Sequence, residues 1–140
     1  FLYIISLFQK VKEMNFIKAY VELMKLRFTE DVEITLNIPD VLPQKVLPPL
    51  LTISFIENAF KYGISYESSS YIYIDYHFSG TSMNFEIKNE IHRQNDNKDY
   101  SGIGISNARN RLDLIFGDKY ILEINQTTEN QFIVHLSIPL

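Results

Sequence analysis

The stretch LPPLLTISFIENAFKYG, residues 47–63, is the strongest helical pattern in the chain. Pro48 and Pro49 stand where a helix can begin, because the first helical turn does not use their missing N–H groups. Gly63 is placed to end the helix in a left-handed conformation. The apolar residues between them follow helical spacing: Leu50, Leu51, Ile53, Phe55 and Ile56. The stretch therefore predicts a largely buried helix around which the other elements are arranged.

One face of this predicted helix is polar. It carries, at positions i, i+4, i+7 and i+8, Ser54, Asn58, Lys61 and Tyr62. An amide oxygen can ligate a hard cation and an ammonium can meet a phosphate, so this face is typical of magnesium–nucleotide chemistry. A plainer interpretation fits the same residues. In that alternative Glu57 and Lys61 form a solvated i, i+4 pair, and Asn58 is a hydrogen-bonded core amide.

Length and composition exclude several classes of protein. A chain of 140 residues is long enough for one domain with a real core. With 13 Lys and Arg against 17 Asp and Glu, the net charge is −4, which argues against a general nucleic-acid binder. The absence of cysteine excludes disulfides and thiolate metal sites, and the three histidines lack metal-ligand spacing: His77, His92 and His135.

The first part of the chain predicts a long helix. Its apolar opening, FLYIISLF, is much shorter than the roughly 20 residues of a membrane span and lacks the features of a signal peptide. Because the chain starts at Phe1 without an initiator Met, we expect a piece of a longer protein, cut within a helix. The predicted helix covers residues 4–28, and its apolar stripe contains Leu7, Val11, Met14, Val21 and Phe28, widened by Phe16, Tyr20 and Leu23.

Strand patterns occupy much of the remainder. Residues 32–38, 71–78 and 83–89 alternate apolar and polar side chains, and the last of these strands ends with Asn89 on the inward face. Residues 120–125 and 132–138 predict a final hairpin. Together with three helices, this order is typical of a two-layer α+β sandwich, in which one mixed sheet of about five strands carries about three helices on one face.

A polar segment precedes the last predicted helix, which starts near Ile105. Residues 90–101, EIHRQNDNKDYS, hold a single aliphatic side chain, so we expect a mobile loop of functional importance. The loop runs into Gly102, Ile103 and Gly104. Glycines allow close backbone approach, and a helix N-terminus adds free N–H donors, so this region predicts an anion site. A lone G-x-G is weak support for such a site, and the adjoining polar loop strengthens it.

Three motifs therefore occur in a fixed order: ENAFKYG on a helix, a strand that ends at Asn89, and SGIGISNARNRL at the start of a helix. In this order they resemble the ATP-binding catalytic domain of sensor histidine kinases, within the gyrase, chaperone, kinase and mismatch-repair ATPase superfamily, and most of all the LytS-like branch. The resemblance spans nearly the whole chain, including KLRF at residues 25–28. It implies a Bergerat-type fold, with residues 1–30 as a leading helix from an upstream dimerisation region and residues 31–140 as the ATP-binding domain.

The resemblance implies ATP and Mg²⁺ as cofactors and gives roles to individual residues. Asn58 matches the asparagine that coordinates Mg²⁺, Lys61 the basic residue near the phosphates, and Tyr62 a ring that lines the nucleotide site. The glycine motif that anchors a lid and offers backbone amides to the phosphates is matched by Gly102, Ile103 and Gly104. Asn107 and Arg111 match further motif positions, and packing is the alternative for Arg111. His92, Arg93 and Lys98 fall in the lid and could reach the phosphates, with a solvated loop as the alternative.

Two positions depart from the usual pattern of these kinases. Asn89 stands where most of them have an aspartate that accepts a hydrogen bond from the adenine amino group, and the glycines that usually follow it are missing. An amide oxygen can still accept that bond, without charge assistance. Tyr62 stands where the LytS-like branch often has histidine.

The resemblance also implies a division of the chemistry. Superfamily members that hydrolyse ATP use a glutamate four residues before the magnesium-binding asparagine, and this chain has Ser54 there, so we expect no appreciable ATPase turnover. The implied activity is that of a histidine protein kinase, with transfer to a histidine outside this chain, so that the chain alone is inactive.

The implied partners are upstream dimerisation and phosphoacceptor helices, a response regulator of the LytTR type and a second copy in a homodimer. The chain would be a cytoplasmic domain of a membrane sensor that does not itself touch the membrane or nucleic acid. The alternative is a degenerate, nucleotide-free module that docks a partner. A third interpretation, a generic α+β fold, requires the two helix motifs, ENAFKYG and SGIGISNARNRL, to occur by chance in the right order.

Overall fold

The computed structural model describes residues 2–28, 31–43, 47–48, 50–92 and 103–140, with side chains from residue 12 in the first helix and from residue 104 in the third. The loop expected to be mobile therefore lies largely outside the described residues. In chain order the elements are α1 Leu2–Arg27, β1 Val32–Asn37, α2 Ile53–Tyr62, β2 Ser70–Phe78, β3 Ser82–Glu90, α3 Ile103–Phe116, β4 Ile121–Gln126 and β5 Gln131–Pro139.

The strands form a single mixed sheet in the order β1-β2-β3-β5-β4. β1 pairs with β2 in parallel, with α2 in the connection between them, and the other neighbours are antiparallel. The register aligns Ile74, Ile87 and Val134 across three adjacent strands, and all three are buried. The predicted two-layer α+β sandwich, with a five-stranded mixed sheet and three helices on one face, is confirmed.

The core lies between the helices and one face of the sheet. Alternation along β2 and β3 buries every second side chain, as the sequence predicts. The helices meet this face with side chains from each of them: Ile17 and Val21 of α1, Phe55 and Ile56 of α2, and Leu112 of α3. Burial of a side chain as large as Phe55 stabilises the fold by roughly 1.5–3 kcal/mol. The core therefore fixes α2 directly on the sheet.

α2 begins later than predicted. Its first residue is Ile53, so Pro48 does not occupy the first helical turn. Leu50 has a φ of 58°, a left-handed conformation that cannot continue into a right-handed helix. The Leu50 N–H donates to Glu13 Oε1 of α1 at 2.8 Å, a contact that helical spacing in the sequence cannot reveal.

Gly63 ends α2 for a different reason from the one predicted. Its φ is −91°, outside the left-handed region. A Cβ at this position would lie 2.6 Å from Ala59 O and 2.8 Å from Asn89 Cβ, so the glycine is required by space. Gly117, by contrast, ends α3 with a φ of 62°.

Two apolar residues assigned to the buried stripe of α1 are exposed. Phe16 and Leu23 are 46% and 64% exposed. The buried face of α1 runs through Met14 and Val21, and the 100° turn per residue places Phe16 and Leu23 on the opposite side. The sequence predicted this helix but made its buried stripe too wide.

Candidate functional site

α2 presents the polar face predicted from the sequence at the margin of the core. Asn58 and Tyr62 are half-buried, and Lys61 is exposed. The opposite face contacts the core through Phe55, Ile56, Ala59 and Phe60. Because these apolar side chains occupy the sheet-facing side, the polar groups remain within reach of solvent and of a ligand.

Lys61 and Tyr62 are in direct contact. The Lys61 ammonium lies 5.1 Å from the centroid of the Tyr62 ring, a distance suited to a cation–π interaction. Among the described residues Lys61 forms no ion pair with Glu57, so the solvated pair of the plainer interpretation is absent. A cation and a phenol are therefore held together at the C-terminal end of α2.

Asn89 is almost completely buried, with 1% of its surface exposed. Its Nδ2 donates to the carbonyl oxygen of Glu90 at 2.9 Å, and its Oδ1 has no hydrogen-bond partner in the described part of the chain. A buried acceptor left without a donor costs about 1–3 kcal/mol. Rotation of the amide would place Oδ1 against the Glu90 carbonyl, so the unpaired oxygen is held in one orientation.

The end of α2 and the end of β3 meet at this asparagine. Gly63 closes α2 directly against Asn89, at a distance that leaves no room for a side chain. The N–H of His92 then donates to the carbonyl of Tyr62 at 3.4 Å, which ties the segment after β3 to the last residue of α2. The structure therefore brings Asn89 next to the helix end that carries Lys61 and Tyr62.

α3 supplies the third part of the predicted site. It begins at Ile103 and packs against α2. Gly104, in its first turn, is exposed, and no atom of the described residues outside this part of the helix lies within 4 Å of an added Cβ. The first turn of a helix has unpaired N–H donors and a partial positive charge. Gly102 lies outside the described residues.

His92 is attached to the sheet. Its Nε2 lies 3.1 Å from Glu90 Oε2 and 3.3 Å from Ser70 Oγ, and the ring is half-buried. These contacts hold the residue beside the ends of β2 and β3. The sequence had suggested either a lid residue that reaches the phosphates or a residue of a solvated loop, and the observed position matches neither. Arg93 and Lys98, the other lid candidates, lie outside the described residues.

A polar junction at the start of α2, buried on its Glu13 side, escaped the sequence analysis. Glu13 of α1 is 9% exposed and accepts the Leu50 N–H, while Arg111 Nη1 of α3 donates to the Leu50 carbonyl at 3.1 Å. Beside it, the hydroxyls of Thr52 and Tyr76 are 2.6 Å apart. Glu13 stands next to Met14 in the buried stripe of α1. A carboxylate at such a position was the one feature of the sequence that could have pointed to this junction.

Burial sets the ionisation of this junction. It raises the pKa of the Glu13 carboxyl above its ordinary value of 4.5, against the lowering effects of the Leu50 N–H and the Arg111 charge. Complete burial also raises the pKa of the Tyr76 phenol, although its bond to Thr52 acts in the opposite direction. Tyr76 therefore remains neutral at physiological pH.

Other kinds of site are absent from the part of the chain that the structure describes. Within it, no cluster of three or more His, Asp or Glu side chains could hold a metal ion. No described helix is long and apolar enough to cross a membrane.

The chain is similar in sequence to sensor histidine kinases. It is 26% identical to sensor histidine kinase BtsS of Escherichia coli over 128 residues, which cover 91% of the chain and 23% of BtsS. It is 25% identical to sensor protein LytS of Oceanobacillus iheyensis, with 87% of the chain and 23% of LytS covered. The chain thus spans about a quarter of the length of these curated relatives. No protein-family profile matches it.

Solved structures with the same fold are also histidine kinases. The blue-light activated histidine kinase of Erythrobacter litoralis superposes with a TM-score of 0.64 and 15% identity, over 91% of the chain and 41% of that protein. The nucleotide-free catalytic domain of histidine kinase ThkA gives a TM-score of 0.59 at 14% identity, over 87% of the chain and 88% of ThkA.

Fold and sequence together define the class. The chain has the fold of a histidine kinase catalytic domain. Its sequence similarity to BtsS and LytS confirms the resemblance to the ATP-binding catalytic domain of LytS-like sensor histidine kinases.

Proposed function

We propose that this chain binds ATP with Mg²⁺ and supplies the phosphoryl group for autophosphorylation of a histidine elsewhere in its parent kinase. The observation that carries the proposal is the buried Oδ1 of Asn89 on β3, beside the end of α2, which has no hydrogen-bond partner among the described residues. A buried acceptor without a donor is costly, and a ligand that donates a hydrogen bond removes that cost.

The orientation of Asn89 favours one type of base. One N–H of its Nδ2 is engaged by the Glu90 carbonyl, and among the described residues its oxygen is left as an acceptor without a donor. The exocyclic amine of adenine is a donor and complements this oxygen, whereas guanine presents a carbonyl acceptor at the equivalent position. The amide therefore performs, without a charge, the role that the resemblance assigns to an aspartate.

The polar face of α2 suits the phosphate end of the nucleotide. Asn58 is a half-buried amide whose oxygen is a suitable ligand for Mg²⁺. The Lys61 ammonium, held over the Tyr62 ring, provides a positive charge close by. Asn58 would help to hold Mg²⁺, and the ion would neutralise charge that develops during transfer. Free N–H donors in the first turn of α3, around Gly104, add a further site for phosphate oxygens.

The chain's own residues do not favour hydrolysis. Ser54, four residues before Asn58, is half-buried and is no base at neutral pH. The exposed carboxylate of Glu57 is one residue from Asn58, about 100° away around the helix. The three histidines lie on β2, on β5 and just after β3 and none is on a helix, so the acceptor histidine belongs to another segment. Positioning of the nucleotide is then the whole contribution of this chain.

The parent protein is proposed as a homodimeric membrane sensor with this domain on the cytoplasmic side. Upstream helices would carry the phosphoacceptor histidine, and a response regulator, of the LytTR type by the resemblance to LytS-like kinases, would receive the phosphoryl group. The similarity to proteins named sensor kinases supports this arrangement.

Calorimetric titration of ATP with Mg²⁺ tests the proposal. We expect binding that weakens on chelation of Mg²⁺. Asn58→Ala and Asn89→Ala should each weaken it about tenfold or more, because each removes an interaction worth about 1.5 kcal/mol or more. Asn84→Ala, on the outer face of β3, and Asn125→Ala, exposed on β4, are the matched controls and should bind as the unaltered chain does.

Absence of ATP binding by a folded sample would overturn the proposal in favour of the alternative, a nucleotide-free module that docks a partner. The missing charge at Asn89 is the feature that favours that alternative.

A further inference from the structure

A single residue before α2, Leu50, is bonded through its backbone to side chains of α1 and α3. Glu13 Oε1 of α1 accepts the Leu50 N–H at 2.8 Å, and Arg111 Nη1 of α3 donates to the Leu50 carbonyl at 3.1 Å. Leu50 lies three residues before α2. Both backbone polar groups of this residue are therefore held by side chains from the other two helices.

The conformation of Leu50 depends on these contacts. Its φ of 58° is one that residues with a side chain rarely adopt, and it persists only where surrounding groups impose it. The leucine side chain is 42% exposed, so burial of its own side chain is not what holds it. Among the described residues, these two side-chain hydrogen bonds hold the backbone of the turn.

Glu13 is an unfavourable residue for simple packing. It stands beside Met14 in the buried stripe of α1, where an apolar side chain would avoid the cost of removing a carboxylate from water. What an apolar residue would lack is an acceptor for the Leu50 N–H. Within the described part of the chain, the charged and titratable groups that act on Glu13 are Arg111 of α3 and the neutral Tyr76 of β2.

α2 is short and rigid, so its start determines where its other residues lie. Ten residues span about 15 Å. A rotation or shift at the first turn is carried to Asn58 and Lys61, because the helix moves as one body. The same junction holds α3, whose first turn carries Gly104, through Arg111.

We propose that Glu13 is a positioning residue: with Arg111 it fixes the Leu50 turn and thereby sets the polar face of α2 relative to the first turn of α3. This inference rests on the proposed nucleotide function, for which α2 and α3 must be held together. It also makes α1 a mechanical part of the site, since the restraint on α2 originates from α1.

The test uses two substitutions of matched size in the full chain. Glu13→Met fills the same volume without an acceptor, whereas Glu13→Gln keeps an oxygen that can accept the Leu50 N–H. We expect Glu13→Met to weaken Mg-ATP binding about fivefold or more, which is the lower end of the usual coupling between two sites. Glu13→Gln should bind Mg-ATP nearly as tightly as the unaltered chain. Arg111→Met should weaken binding from the other side of the junction.

Val134→Ala is the control for a merely structural role. It leaves a cavity in the core on β5, whose neighbours in the sheet are β3 and β4, and changes no residue at the start of α2. It should lower the stability to urea and leave nucleotide affinity unchanged. The inference would be overturned if Glu13→Met bound Mg-ATP as tightly as the unaltered chain, or if Glu13→Gln bound it as weakly as Glu13→Met.

A second readout does not depend on nucleotide. The chain has no cysteine, so spin labels at Glu57→Cys on α2 and Asn110→Cys on α3 report a single distance distribution. This distribution should broaden or shift in Glu13→Met and return in Glu13→Gln. If the unaltered chain bound no ATP while the distance still responded to Glu13, the proposed function would fail and the positioning role would stand. An unchanged distance in Glu13→Met would overturn the positioning role itself.

Discussion

Gly63 and Asn89 lie so close that a Cβ on the glycine would come within 2.8 Å of both Cβ and Nδ2 of the asparagine. This contact joins the last turn of α2 to the buried amide of β3. Since Nδ2 also holds the Glu90 carbonyl, a change at Gly63 disturbs the orientation of the unpaired Oδ1. The two residues act as one structural unit.

Gly63→Ala tests this contact. The added methyl group would also meet Ala59 O at 2.6 Å, so either the helix end or Asn89 must move. We expect a loss of about 1–3 kcal/mol in the free energy of unfolding, the usual cost of overpacking, together with weaker ATP binding. Urea denaturation and calorimetry measure the two effects. Gly80→Ala, in the turn between β2 and β3, is the control. No described atom lies within 4 Å of a Cβ added there, so this substitution should change the free energy of unfolding by no more than about 0.5 kcal/mol.

Base selectivity follows from the fixed amide. ATP should bind more tightly than GTP, because Asn89 Oδ1 would accept a hydrogen bond from the adenine amine, whereas a guanine carbonyl in the same place would offer it no donor. Asn89→Leu removes the acceptor at similar volume and should reduce ATP affinity to the level of GTP. Competition titrations with both nucleotides measure the ratio. Equal affinities in the unaltered chain would contradict the role of the amide oxygen.

Gly104→Ala separates a binding role from a structural one. There is room for the methyl group, and the residue is helical, so stability should stay the same or rise by up to about 1 kcal/mol. ATP affinity should nevertheless fall, because the side chain restricts approach of phosphates to the backbone N–H groups. Thermal denaturation and calorimetry on the same samples provide the comparison. Unchanged affinity would show that the first turn of α3 does not meet the nucleotide.

Glu13 predicts a particular pH dependence of stability. Because burial raises its pKa in the folded state, the folded chain binds more protons than the unfolded chain at pH values above 4.5. The contribution of the Glu13 carboxyl to the free energy of unfolding is therefore fully present below pH 4.5, and it is lost as the pH rises through the raised pKa of the folded state. Each unit of elevation corresponds to about 1.4 kcal/mol.

Glu13→Gln has no such titration, so its stability relative to the unaltered chain should increase from acid to neutral pH. Urea denaturation at several pH values measures this difference. Glu129→Gln, an exposed substitution in the β4–β5 turn, is the control and should show little change. A difference between Glu13→Gln and the unaltered chain that stays constant with pH would contradict the burial of an ionisable carboxyl.

Local periodicity predicted most of the fold because it reflects which face of each element is buried. The alternation that places Ile72 and Ile87 in the core also places Asn89 there, and the structure agrees. The failures have long-range causes. The start of α2 depends on a bond from Leu50 to a residue 37 positions away, and Gly63 is constrained by Asn89 rather than by its own φ.

The candidate site divides in the same way. Asn58, Lys61 and Tyr62 are carried by one helix, so their common face was predictable from spacing alone. The proximity of Asn89 to the end of that helix requires the tertiary fold, and the resemblance to a kinase family supplied it in advance. Neither the spacing of residues nor the resemblance to a kinase family pointed to Glu13, because a single carboxylate in an apolar stripe belongs to no recognisable motif.

The parallel pairing of β1 with β2 has a consequence for the order of folding. Val32 pairs with Ser70 across a connection that contains α2, whereas Phe78 pairs with Met83 across a short turn. Closing the longer connection costs more chain entropy before any contact forms. We therefore expect the β2–β3 hairpin to form early and β1 to join late. The strand nearest α1 in sequence would be among the last parts of the sheet to assemble and the first to open.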